Sequence, residues 1–156
     1  MEKSKVYFTK NISSESLVKI YNAVEKELKG NVAIKISTGE PGGNNFLNPK
    51  LIKDLVNKLN GTIVECNTAY EGQRNTTEKH KELMKEHGWS EIFDVDILDA
   101  KGPDLVLDIP KGKVITKNYV GKNIEKYDAM LVVSHFKGHP MGGYGGALKQ
   151  LSIGVA

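Results

Sequence analysis

The chain of 156 residues is sized for one domain, and a hydrophobic fraction of 39% supports a packed core. A net charge of +3, with bases interleaved among acids as in KSKVYFTK and EKELK, is that of a solvated surface and argues against nucleic-acid binding. The single cysteine, Cys66, excludes a disulfide framework and any cysteine-based metal cluster within the chain, and it fits a reducing compartment.

The start, MEKSKVYFTK, has no apolar signal region, and the longest apolar run, Ala129 to Val133, is too short to span a bilayer. A cytoplasmic protein without membrane contact is the expectation. In chain order, Lys5 to Thr9 alternates as a strand. Ser13 or Ser14 then caps a helix carrying Leu17, Ile20, Tyr21, Val24 and Leu28, which Gly30 ends. Val32 to Ile36 is a second strand, and Ser37 to Phe46 a Gly-rich loop. Asn48 caps the next helix with Pro49 at its first position. Leu51, Ile52, Leu55, Val56 and Leu59 form its apolar face, and Gly61 terminates it. Thr62 to Glu65 is a third strand, and a polar loop from Asn67 to Asn75 leads to a helix from Thr76 to His87.

From Phe93 to Val120 short alternating segments with Pro or Gly breaks predict a β-rich insertion, and Tyr127 to Ser134 reads as a fully buried strand. The order predicts a single α/β domain over residues 1–156, Rossmann-like, with a mainly parallel sheet and flanking helices. The last residues, LKQLSIGVA, run on without a stop signal, so the natural protein is expected to continue beyond Ala156.

Ligands of such sheets bind outside the carboxyl ends of the strands, where three polar loops fall: Ser37 to Asn45, Asn67 to Asn75, and Ser134 to Gly146. In the third loop, five of the nine residues from Gly138 to Gly146 are glycine. That density points to close backbone approach to a ligand, with a helix beginning near Gly145 aiming its N–H groups at an anion. His139 is a candidate general base or metal ligand. Lys137, Lys149 and His135 are candidates for binding a carboxylate or phosphate, and Gly142, Gly143, Gly145 and Gly146 for a backbone wall. The alternative is that the glycines only shape a tight turn. In the other loops Glu40 is a candidate ligand-facing carboxylate or a solvated turn residue, and Arg74 an anion clamp or a surface arginine. Lys35 inside an apolar strand would need a partner if it points inward. His80 and His87 read as structural, and Cys66 as a core residue.

The segments SHFKGHPMGGYGGALKQLSIG, VAIKISTGEPGGNNFLNPKLIKDLV and CNTAYEGQRNTTEKHKELMKEHGW together resemble the DUF362 family, whose members are often described as iron–sulfur centre proteins. The resemblance implies metal- or cofactor-linked binding of a small anionic ligand. It also implies a redox link through a ferredoxin-like segment or electron-transfer partner. A 4Fe–4S cluster would then lie only in a C-terminal segment outside this chain. An anion-binding scaffold for a ferredoxin-like partner is the alternative, and whether the domain is an enzyme stays open.

The run from His139 to Lys149 is also similar to a motif of the nickel-pincer lactate racemase family. That likeness implies an isomerase-like site with His139 as metal-associated or acid/base residue and Lys149 holding the cofactor. Gln73 stands where that family has its second catalytic histidine, and STGEPGG lacks its Asp-x-Thr-Arg motif. Symmetric racemisation needs both acid/base groups.

Overall fold

The computed structural model describes residues 3–155. Its centre is a parallel sheet of four strands: β1 (Val32–Lys35), β2 (Thr62–Glu65), β3 (Val95–Ile97) and β6 (Ala129–Val132), in the order β3-β2-β1-β6. Ala33 lies opposite Thr62 on one side and Met130 on the other. The expected α/β architecture with a mainly parallel sheet is present.

Helix α2 (Pro49–Leu59) forms where local signals agree. The Asn48 side chain accepts the Lys50 N–H at 2.9 Å, Pro49 takes the first turn, and Ile52, Leu55 and Val56 are buried. It ends differently from expectation: Asn60, not Gly61, adopts the left-handed conformation, at φ 46°. Gly61 N–H then reaches the Val56 carbonyl and Asn60 N–H the Asn57 carbonyl, the paired bonds of a Schellman ending. Gly61 is required for a second reason, since a Cβ there would stand 2.7 Å from Ile34 Cγ1.

Helices α2, α3 (Thr77–Glu86) and the short α4 (Trp89–Ile92) cover one sheet face. Ile52, Val56, Met84 and Trp89 pack there on Val32, Ile34, Ile63 and Ile97. This is what two right-handed crossovers in one direction produce. On the other face, among the described residues, half-buried Tyr127, Met130 and Val155 are the apolar side chains packed against Ala33, Val64, Cys66 and Leu98.

Several expectations fail, each for a physical reason. Lys5 to Thr9 forms no strand. Val6 and Phe8 are more than four-fifths exposed, and alternation without a partner edge leaves no ladder to join. Helix α1 (Ser14–Ala23) stops well short of Gly30: Glu25 takes φ 54°, and Leu28 N–H bonds the Tyr21 hydroxyl instead of a helical carbonyl. The β-rich insertion is smaller than expected, because β3 joins the main sheet beside β2. Within the insertion, β4 (Leu105–Asp108) and β5 (Lys117–Val120) form a separate antiparallel hairpin. Strand β6 is half-buried rather than fully buried because it is an edge strand, paired only with β1. The Gly-rich segment folds into a small hairpin, β7 (Lys137–His139) and β8 (Gly143–Gly145), before α5 (Ala147–Ser152).

Candidate functional site

The connections decide where a crevice opens. From β1 the chain steps outward to β2 and β3, then returns to place β6 on the other flank of β1. The strand order therefore reverses between β1 and β6, and loops leaving the two carboxyl ends part there. A cleft of about 950 Å³ lies at this edge and draws lining from all three polar loops.

Its floor is an ionic array. Lys35, 1% exposed, and Glu65, 4% exposed, form a buried ion pair. Lys35 Nζ also donates to the Ile36 carbonyl at 2.8 Å. Glu65 further accepts the Cys66 N–H at 3.1 Å and the Thr38 N–H at 3.2 Å, and lies 3.8 Å from Arg74 Nη1. Arg74 Nη2 donates both to Glu40 and, at 2.7 Å, to the Tyr70 hydroxyl, which donates to Glu40 Oε1 at 2.8 Å. Burial, then the bond to Glu40, pushes the Tyr70 phenol above its ordinary range, so it stays a donor. Arg74 Nε, buried, has no protein partner among the described residues.

Behind the floor, Thr38 is a node. Its hydroxyl meets His80 Nε2 at 2.9 Å, and its carbonyl accepts from His87 Nδ1 at 2.8 Å and Trp89 Nε1 at 3.2 Å. Burial, reinforced by the Arg74 and Lys35 charges, lowers the His80 pKa to about 4, so the ring is neutral near pH 7. His87 stacks on Phe46 with centroids 4.0 Å apart. The structural reading of both histidines agrees with these contacts.

The rim comes from the C-terminal hairpin and α5. His135, Lys137, His139 and Lys149 line the cleft together with Lys35, Glu40 and Arg74. The backbone wall is narrower than expected: Gly145 and Gly146 line the cleft, whereas Gly142 lies in the β7–β8 turn and Gly143, at φ 72°, opens β8 opposite His139. His139 Nδ1 accepts the Gly142 N–H at 3.1 Å, which ties the ring to that turn. Helix α5 spans six residues, so its end contributes little of the anion attraction expected of it. Sequence reasoning passed over Glu65, Asn67 and Asp99, which also line the cleft. The available signal was a pair of opposite charges, Lys35 and Glu65, each closing an otherwise apolar strand.

Cofactor chemistry places its own demands. An iron–sulfur cluster needs several thiolates, yet Cys66 is alone and buried, its thiol pushed up to about 12 by burial and then by the Asp99 charge. This chain's residues do not fit a cluster. Among the described residues no group of three or more His, Cys, Asp or Glu side chains could hold a metal ion, so His139 belongs to no such group. Gln73 is exposed and outside the cleft lining, so the second histidine position of the racemase likeness does not face this space. No helix of the described residues is long and apolar enough to cross a membrane.

No curated protein and no solved structure matches the chain. The family model described as "Domain of unknown function (DUF362)" matches residues 32–156. That span runs from β1 through all three cleft loops to the Gly-rich hairpin and α5, and the chain belongs to the DUF362 family.

Proposed function

We propose that this domain binds a small anionic molecule in the cleft beyond β1 and β6. The observation that carries the reading is the different use of charge within one lining. Lysines and arginines there equal the acids in number, but Glu40 and Glu65 pair with Arg74 and Lys35, Asp99 accepts the Asn67 N–H at 2.9 Å, and Glu78 stands apart on α3 with no salt bridge among the described residues. Lys137 and Lys149 form no salt bridge among the described residues. Two ammonium groups without a salt bridge and two histidines therefore gather on the hairpin and α5, over a floor whose Lys35–Glu65 and Arg74–Glu40 charges are paired, while Glu78 and Asp99 enter the lining from α3 and the loop after β3. An anion entering from solvent meets complementary charge at the rim. His139 is the candidate acid/base group, its Nδ1 held by the hairpin turn. A redox link through a ferredoxin-like partner belongs to this reading on the family likeness, with the cluster supplied from outside this chain.

Calorimetric titration of the purified chain with pyrophosphate and citrate tests the proposal. Saturable one-site binding is expected. Lys137→Ala and Lys149→Ala should each weaken it about tenfold, the scale of one charge-assisted hydrogen bond. Absence of binding, or affinity indifferent to both lysines, rejects the cleft as an anion site.

A further inference from the structure

The planar guanidinium of Arg74 presents two parallel N–H groups, from Nε and Nη2, along one edge. This fork matches the two oxygens of a carboxylate. In this molecule the fork is half used. Glu40 takes Nη2 through Oε1 alone, sharing that oxygen with the Tyr70 hydroxyl, while Nε is without a protein partner among the described residues. Nη1, the remaining arm, faces Glu65. The two members of the pair also differ in setting: the Arg74 side chain is 9% exposed and that of Glu40 is 54% exposed. A buried guanidinium with an orphaned N–H is an unfavourable arrangement that a better-fitting partner would relieve.

Glu40 itself sits on a short turn, closed by Gly43 N–H to the Glu40 carbonyl at 3.0 Å. Left-handed glycines stand on both sides, Gly39 at φ 94° and Gly42 at φ 66°. The turn is anchored behind by Thr38, fully buried, and by Phe46 on His87. It holds Glu40 at the fork as a local competitor, tethered a few residues from fixed points.

We propose that the Nε–Nη2 edge of Arg74 is the carboxylate subsite of the cleft, and that Glu40 is a built-in competitor which a ligand carboxylate displaces. This deepens the anion-binding reading and rests on it. It assigns the ligand class as a small molecule bearing a carboxylate, with any second anionic group directed toward Lys137 and Lys149. Displacing Glu40 releases its charge to solvent and lets the ligand satisfy both teeth of the fork, an exchange that Glu40 cannot make with one oxygen.

The test is titration with succinate, with pyrophosphate as the non-carboxylate comparison. If Glu40 occupies the fork nine-tenths of the time, Glu40→Ala binds succinate about tenfold more tightly than the unaltered chain. Arg74→Lys, which keeps the charge but loses the fork, binds succinate at least about tenfold more weakly. Because Arg74 is buried and its variant is at risk of misfolding, the exposed Glu40 decides the matter by itself. Succinate affinity unchanged or weakened in Glu40→Ala, with Lys137→Ala still weakening binding, overturns the competitor and leaves the cleft reading standing. Binding of pyrophosphate but not succinate, in both the unaltered chain and Glu40→Ala, overturns the carboxylate assignment. Absence of binding by either anion overturns both readings.

Discussion

The floor and the rim of the cleft both carry basic side chains and hold them in opposite ways. On the floor Lys35, Glu65 and Arg74 are nearly sealed from solvent, and each charge has an opposite charge within 4 Å. On the rim His135 and Lys137 are exposed and Lys149 and His139 half-buried, with no carboxylate paired to either lysine among the described residues. A buried charge must be matched within the fold, because the lost hydration has to be replaced. A surface charge is matched by water and stays available. The floor is therefore coupled to stability, and the rim is where the proposed binding would act.

Glu65→Gln puts this contrast to its hardest test. It leaves the Lys35 ammonium buried without its counter-charge, and urea unfolding should show a loss of about 3–5 kcal/mol. Adding Lys35→Met removes the orphan charge and should recover much of that loss. A drop below about 1 kcal/mol for Glu65→Gln, the scale of a surface pair, would mean that the floor is no more tightly held than the rim.

His80 gives the next largest effect. Its folded pKa of about 4 lies below the ordinary 6.5, so the unfolded chain binds more protons between those values. Stability from this group is complete above about pH 6.5 and is lost as pH falls toward 4, by about 3 kcal/mol. Unfolding series across pH 4–7 should show that slope in the unaltered chain and a flatter one in His80→Gln. Parallel slopes would detach His80 from the floor's electrostatics.

The smallest effect is expected at the rim. Lys137→Ala and Lys149→Ala should change unfolding free energy by less than about 0.5 kcal/mol while altering anion affinity. A loss of several kcal/mol at either position would erase the distinction between the two regions.

Local punctuation was the part of the fold most legible in the sequence. Asn48 and Pro49 opened α2 where expected, because caps act within one turn. The strand expected at Lys5 to Thr9 failed because alternation reports a face and not a partner. For the same reason β3, read as part of the β-rich insertion, gave no sign that it pairs with β2 in the main sheet. At the site, the three converging loops were legible from the α/β order, and Lys35, Glu40 and Arg74 were singled out with the hairpin residues. The pairings among them were not. Parallel register sets Lys35 opposite Val64, which brings Glu65 beside it at the strand ends. That adjacency depends on which strands are neighbours. The glycines were read as one wall, yet Gly142 and Gly143 serve the hairpin, in its turn and at the start of β8, since glycine density does not say which residues meet a ligand and which meet the chain.

The bond from Trp89 to the Thr38 carbonyl has a practical consequence. Trp89 is the chain's only tryptophan, fully buried, with its indole N–H bonded to the loop that carries Glu40. Its emission is thus a single-site optical gauge of that loop. A ligand that shifts the loop changes the dipole at the indole nitrogen and moves the emission band, whereas one held only by the rim lysines leaves the spectrum still. The protein carries its own label directly behind the floor of the cleft.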